Sequence, residues 1–167
     1  MKKILSILLL AYCFSITRQD IYNDSWAVII GINQYDNMKD LKYAVSDAAD
    51  IKEMFINKYD FKEDHIKIIL DEEATKENII EGFHELLQKS KDKDRVLVFY
   101  AGHGETHMLP DGGEMGYLLP IDGNQKKLFS TSIPMDDLKR ISSMSQSKHV
   151  LFLIDACYGG LAATGIR

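Results

Sequence analysis

Cysteine is scarce in this chain: Cys13 and Cys157 are the two among 167 residues. That excludes a disulfide-stapled scaffold. A basic excess is missing too, since 20 Lys and Arg stand against 25 Asp and Glu, for a net charge of −5. Nucleic acid is therefore not the default partner. The apolar run Ile4–Phe14 is eleven residues long, short of the about 20 that span a bilayer. Gly31-Ile-Asn-Gln-Tyr35 has neither the G-x-G-x-x-G nor the Walker spacing, which excludes a nucleotide-binding α/β protein of the usual kinds. There is no internal repeat and no low-complexity tract. What is present is a globular composition, 46% hydrophobic and 27% charged, which excludes a wholly disordered chain and suits one domain.

Lys2 and Lys3 precede the apolar run, and the small residues Cys13 and Ser15 stand two apart. This reads as a secretory signal over residues 1–15, with a linker over 16–25 and the domain over 26–167. The expected location is outside the cytoplasm, or in the cytoplasm if the segment is not a signal. Removing that segment leaves Cys157 as the sole cysteine, and a lone thiol in an exported chain invites a reactive role.

From Trp26 the pattern alternates strand and helix. Trp26–Ile32 is a continuous apolar run, as in a strand buried on both faces. Leu41–Tyr59 carries Leu41, Ala44, Val45, Ala48, Ile51 and Phe55 on one helical face. His65–Leu70 reads as a second strand, and Thr75–Ser90 as a second helix with Ile79, Ile80, Phe83, Leu86 and Leu87 inward. Arg95–Tyr100 is a third strand, Pro134–Met144 a third helix and Val150–Ile154 a fourth strand. This order predicts a parallel sheet with helices on both faces. The long loop Gly102–Gly123 is of the kind that carries function, and Gly116–Leu119 within it has the pattern of a short strand pair.

In open α/β sheets, sites lie beyond the carboxyl ends of the strands. Ala101-Gly-His-Gly104 follows the third strand and Asp155-Ala-Cys-Tyr-Gly-Gly160 follows the fourth. A thiol and an imidazole leaving neighbouring strands at one edge have the parts of a nucleophilic hydrolase. Glycines around both let backbone N–H groups and a substrate chain come close.

The segments Trp26–Asn33, Leu41–Asp47, Tyr100–Gly104 and Asp155–Gly160 resemble, in order and context, the caspase-like cysteine peptidases, nearest the metacaspase-type and bacterial branch. The resemblance implies a three-layer αβα fold with a mainly parallel sheet. It implies His103 and Cys157 as catalytic residues, and the N–H groups of Gly104 and Cys157 as the oxyanion hole. Asp47 and Asp155 match the carboxylates that line the pocket for the residue before the cut bond. Two carboxylates attract a cation, so cleavage after Arg or Lys is expected. Caspases that cut after Asp carry an arginine near the first helix, and no arginine lies between Trp26 and Asp94.

The resemblance demands no cofactor for the chemistry. It does raise calcium, for which Asp111, Glu114, Asp122, Asp136 and Asp137 are oxygen donors without EF-hand spacing. A metal pair from His103 and His107 is disfavoured, because Gly104 opposes the helix that such spacing requires. The expected partner is a protein or peptide substrate. Catalytic domains of this kind continue past the nucleophile, whereas ten residues follow Cys157 here. The C-terminal strands are therefore expected to be missing, leaving the fourth strand as an edge for a further segment or chain to pair with. The competing expectation is a non-enzymatic caspase-like scaffold.

Overall fold

The structure is a computed structural model that describes residues 21–157. The apolar run read as a signal lies outside them. Four parallel strands form the main sheet, in the order β2-β1-β3-β7: β1 (Ser25–Gly31), β2 (Ile66–Leu70), β3 (Arg95–Ala101) and β7 (His149–Asp155). Three further short strands, β4 (Gly104–Met108), β5 (Glu114–Leu118) and β6 (Ile133–Pro134), make a separate antiparallel sheet. The long glycine-bearing loop thus holds a β4–β5 hairpin, larger than the strand pair its sequence suggests.

Helix α1 (Ala44–Tyr59) covers one face of the main sheet, and α2 (Lys76–Lys89) and α4 (Met135–Met144) pack into the core on the other. A single turn, α3 (Leu128–Thr131), leads into β6. The strand side chains explain this division. Alternation sends Ala27, Ile29, Phe99 and Ala101 toward α1, and Val28, Ile30, Val96, Val98 and Tyr100 toward α2 and α4. Both sets are buried, which is why β1 and β3 are apolar throughout.

The helices begin and end where local chemistry dictates. α1 starts three residues later than its apolar pattern, at Ala44, because Asn33 holds the preceding loop: its carbonyl accepts from Leu41 N–H and its side chain from Val45 N–H. Gly31 lets α1 sit close, since a Cβ there would lie 2.5 Å from the Ala44 carbonyl oxygen and 2.7 Å from Ala48 Cβ. α1 stops at Asp60, a left-handed residue whose N–H returns to the Phe55 carbonyl. In α2, Thr75 is the cap, its hydroxyl accepting from Asn78 N–H at 3.2 Å. Ile80, expected inward, is 38% exposed, while Ile79, Phe83 and Leu86 are buried. Pro134 caps α4 rather than opening its first turn.

Gly31, Ala101 and Asp155 are in register across β1, β3 and β7. They form one row at the carboxyl end of the sheet, and the segments that carry His103 and Cys157 continue beyond it.

Candidate active site

Two residues past that row on β3 stands His103, and two residues past it on β7 stands Cys157. Ala101 and Asp155 are paired partners, so the two reactive side chains leave adjacent strands at the same level. Neighbouring strands lie about 4.8 Å apart. Gly102 N–H donates to the Asp155 carbonyl at 3.1 Å and carries the pairing one step beyond β3.

The backbone at His103 is held on both sides by tyrosines. Its N–H donates to the Tyr35 hydroxyl at 2.8 Å. Its carbonyl lies 2.9 Å from the Tyr100 hydroxyl, which is also 2.8 Å from the Leu119 carbonyl. Tyr100 is fully buried and Tyr35 nearly so. Burial pushes the Tyr35 phenol up to about 12, with Asp71 adding a smaller raise against the lowering pull of the His103 N–H and of Tyr100. Tyr35 is therefore a neutral hydroxyl at any physiological pH. Its ring lies 4.7 Å from the imidazole, centroid to centroid.

The imidazole itself is oriented by a backbone carbonyl, with Nε2 2.8 Å from the Lys39 oxygen. A carbonyl only accepts, so Nε2 carries the proton, and Nδ1 is left as the acceptor in the neutral ring. Lys39 belongs to a loop that is itself fixed. Asp71 Oδ1 accepts from Asn33 N–H at 2.7 Å and from Gln34 N–H at 3.0 Å. Asp40 Oδ1 accepts from Tyr35 N–H, and Asp36 N–H reaches the Ile121 carbonyl.

Glycine before the histidine has a different reason from the one its sequence suggests. A Cβ on Gly102 would lie 2.6 Å from the Tyr35 hydroxyl oxygen and 2.8 Å from that of Tyr100. The missing side chain makes room for the tyrosine brace rather than for a substrate. Gly104 is placed differently. Leu119 N–H donates to the His103 carbonyl, and Gly104 is the next residue, opposite Leu118. By the alternation of an antiparallel ladder, the Gly104 N–H points away from β5.

Cys157 is exposed and forms no disulfide among the described residues. Of the two acids matched to a specificity pocket, Asp47 lies in the first turn of α1, half-buried, and Asp155 closes β7, exposed. Asp155 shares the parity of Leu151 and Leu153 and so the α1 face of the sheet. Asp47 lies between Ala44 and Ala48, the residues that rest on Gly31. Both carboxylates therefore occur at the same end and on the same face.

The acids considered for calcium are dispersed. Asp111 bonds Gly113 N–H, Asp122 bonds Lys76 N–H at the start of α2, and Asp137 pairs with Arg140. Among the described residues no group of three or more His, Cys, Asp or Glu side chains is arranged to hold a metal. These residues do not fit a calcium site. His107 is an exposed residue of β4.

A family model described as the caspase domain matches residues 24–167. The chain belongs to the caspase-domain family. Among its relatives, Metacaspase-1 of Eremothecium gossypii is 31% identical over 151 residues, covering 81% of this chain and 32% of that protein. Metacaspase-2 of Arabidopsis thaliana is 29% identical over 154 residues, covering 84% of this chain and 35% of that protein. A crystal structure of a Geobacter sulfurreducens protein superposes with a TM-score of 0.67 at 19% identity, over 82% of this chain and 52% of that one. The last likeness concerns the fold. The caspase-domain chain spans about a third of the length of these metacaspases. It is a metacaspase-type member of a family of cysteine peptidases, with the α/β fold and mainly parallel sheet that the resemblance implies.

Two parts of this site are invisible to motif reading. Tyr35 and Tyr100 lie 65 positions apart in sequence, and each is apolar enough to pass for core. The signal that could have found Tyr35 is its place in a polar loop beyond β1, where an aromatic has no packing reason to be. The Lys39 contact is made by a carbonyl and has no side-chain signature at all.

Proposed function

We propose that this chain is a cysteine endopeptidase domain, with Cys157 as nucleophile and His103 as its acid and base. The observation that carries the proposal is the common row: Ala101 and Asp155 are paired, and each is followed two residues later by a reactive side chain. In this reading the Cys157 thiolate attacks the peptide carbonyl carbon. The oxyanion is received by the N–H groups of Gly104 and Cys157, the first of which the ladder turns outward. The C–N bond breaks as His103 delivers a proton to the departing amine. Water then cleaves the thioester, giving its hydroxyl to the acyl carbon and one proton to His103, and the sulfur leaves as the Cys157 thiolate beside a protonated His103, as at the start. The Lys39 carbonyl fixes the ring and stabilises it when it is charged.

Asp47 and Asp155 make the pocket for the residue before the cut bond, and their charge selects Arg or Lys. The substrate is a protein or peptide, and no step passes through a metal. The scaffold alternative has little to support it, since both reactive residues are present and one of them is elaborately positioned. Export follows from Ile4–Phe14 in the same proposal, with secretion of a reporter fused after Ser15 as its check.

The expected result is that Cys157→Ala lowers turnover of a fluorogenic Arg-ending peptide by at least about 10³-fold with an unchanged melting curve. Equal turnover by that variant would sink the assignment. Arg- or Lys-ending peptides should be cut much faster than Asp-ending ones, and Asp155→Ala should erode that ranking. A preference for Asp would overturn the pocket.

A further inference from the structure

Asp71 stands one residue beyond the row at the carboxyl end of the sheet, on the far side of β1 from His103: Leu70 pairs with Gly31, and Gly31 with Ala101. It opens a single 3₁₀ turn, Asp71–Glu73, closed by the bond from Ala74 N–H to the Asp71 carbonyl. Its φ is 37°, in the left-handed region. An L side chain adopts that region at a cost, and Asp and Asn adopt it more readily than most. The turn leaves a half-buried carboxylate against the chain that departs from β1. There Asp71 Oδ1 receives two successive N–H groups, from Asn33 at 2.7 Å and from Gln34 at 3.0 Å. Hydrogen bonds to a charged acceptor are the stronger kind.

Both contacts that this loop makes with His103 hang from the same point. Tyr35, whose hydroxyl accepts the His103 N–H, is the residue after Gln34. Lys39, whose carbonyl accepts from Nε2, lies at the loop's other end beside Asp40. Asp40 Oδ1 accepts from Tyr35 N–H at 3.1 Å, and the Asn33 carbonyl accepts from Leu41 N–H at 2.7 Å. The loop thus closes back on its own first residues, and Asp71 fixes those residues to β2. With Nε2 donating to Lys39, Nδ1 is the ring nitrogen left to take or give a proton.

We propose that Asp71 is a positioning residue for His103: its carboxylate fixes the loop over residues 33–40, and through Lys39 and Tyr35 it holds the imidazole in one tautomer and one orientation. The role rests on the peptidase reading, since a held ring matters to turnover only if that ring moves protons. Asp71 touches no reacting atom. Asp47 and Asp155 lie on α1 and β7, apart from this loop, so loosening it should lower kcat and leave KM little changed.

Two substitutions separate the acceptor from the backbone. Asp71→Gly suits the left-handed φ and deletes the acceptor. Asp71→Asn tolerates the same φ and keeps a side-chain oxygen for both N–H groups. With the full chain and an Arg-ending fluorogenic peptide, at a temperature where each variant is folded by circular dichroism, Asp71→Gly should lose kcat by about 10- to 100-fold and Asp71→Asn should stay within about threefold of the parent. The ring is read separately by nitrogen NMR of the histidine-labelled Cys157→Ala chain, in which no thiolate pairs with it, at a pH where an ordinary imidazole is uncharged. The His103 signals, assigned by their loss in His103→Asn, should show the Nε2–H tautomer. Adding Asp71→Asn should preserve it, and adding Asp71→Gly should give a mixture of the two tautomers. Should Asp71→Gly fail to fold, Asp40→Ala decides, because Asp40 is exposed and ties the other end of the loop: kcat and the tautomer ratio should both move. Parental kcat in the loosened variant, a fall in kcat with the tautomer unchanged, or an Asn variant as impaired as the Gly one overturns the assignment. An inactive parent would sink the peptidase reading instead, and the tautomer measurement would still judge Asp71.

Discussion

The histidine half and the cysteine half of the site are built to different standards. His103 follows β3, a strand flanked by β1 and β7 and buried over most of its length. Its N–H, its carbonyl and its ring each have a partner, supplied by Tyr35, Tyr100 and Lys39. Cys157 follows β7, a strand of the same apolar character that is half-exposed throughout, and the thiol is exposed. The difference lies in what surrounds the strands, not in their sequences. A general acid–base must hold one geometry, and a framework of buried hydroxyls can impose it. The position of the proposed nucleophile depends on how firmly β7 is held, and among the described residues no strand pairs with the outer side of β7.

The sharpest way to break this contrast is Gly102→Ala. A methyl group there meets two hydroxyls that are already engaged with the His103 backbone, so the brace must shift. Overpacking of this kind costs about 1–3 kcal/mol. The expected outcome is a lower urea midpoint together with a large loss of turnover. The matching change on the other half, Cys157→Ser, should leave the midpoint within about 0.5 kcal/mol of the parent, as for an exposed residue. Equal destabilisation by the two would remove the distinction.

Tyr100→Phe comes next. It keeps the ring in the core and deletes one hydroxyl, leaving the Leu119 carbonyl without its buried donor. An orphaned buried group costs about 1–3 kcal/mol. Because the same hydroxyl bonds the His103 carbonyl, activity should fall further than the altered stability explains, at a temperature where the variant is fully folded. Loss of stability with unchanged kcat/KM would show that the brace serves the core alone.

The contrast also marks what the sequence could reveal. Apolar runs announce strands whatever surrounds them, so β1, β3 and β7 are legible, and their order follows from helix alternation. His103 and Cys157 are legible because strand ends and flanking glycines leave a short-range pattern. Relations across the fold are not. Nothing local distinguishes the buried β3 from the half-exposed β7. The reason for Gly102 lies in a tyrosine 67 residues earlier, so glycine reads as room for substrate when it is room for Tyr35. The late start of α1 is likewise set by Asn33, eleven residues upstream, and the β4–β5–β6 sheet by pairings that a loop's composition does not encode.

The smallest effect expected is a pH dependence confined to the histidine half. Tyr35→Phe removes the acceptor of the His103 N–H, at about 1 kcal/mol near neutrality. It also removes a phenol whose proton is released near pH 10 in the unfolded chain and near 12 in the folded one. Between those values the unfolded state binds fewer protons than the native state, so stability falls as pH rises. Below pH 10 both states hold the proton and the residue contributes no slope. The parent chain should therefore lose stability from pH 10 upward more steeply than the Phe variant, and urea midpoints at pH 8 and pH 11 should draw together. The same change in slope appearing in Cys157→Ser would mean that the alkaline loss has another origin. A parallel decline in the parent and the Phe variant would place the Tyr35 hydroxyl in contact with water, and the brace would then hold the histidine less firmly than its hydrogen bonds suggest.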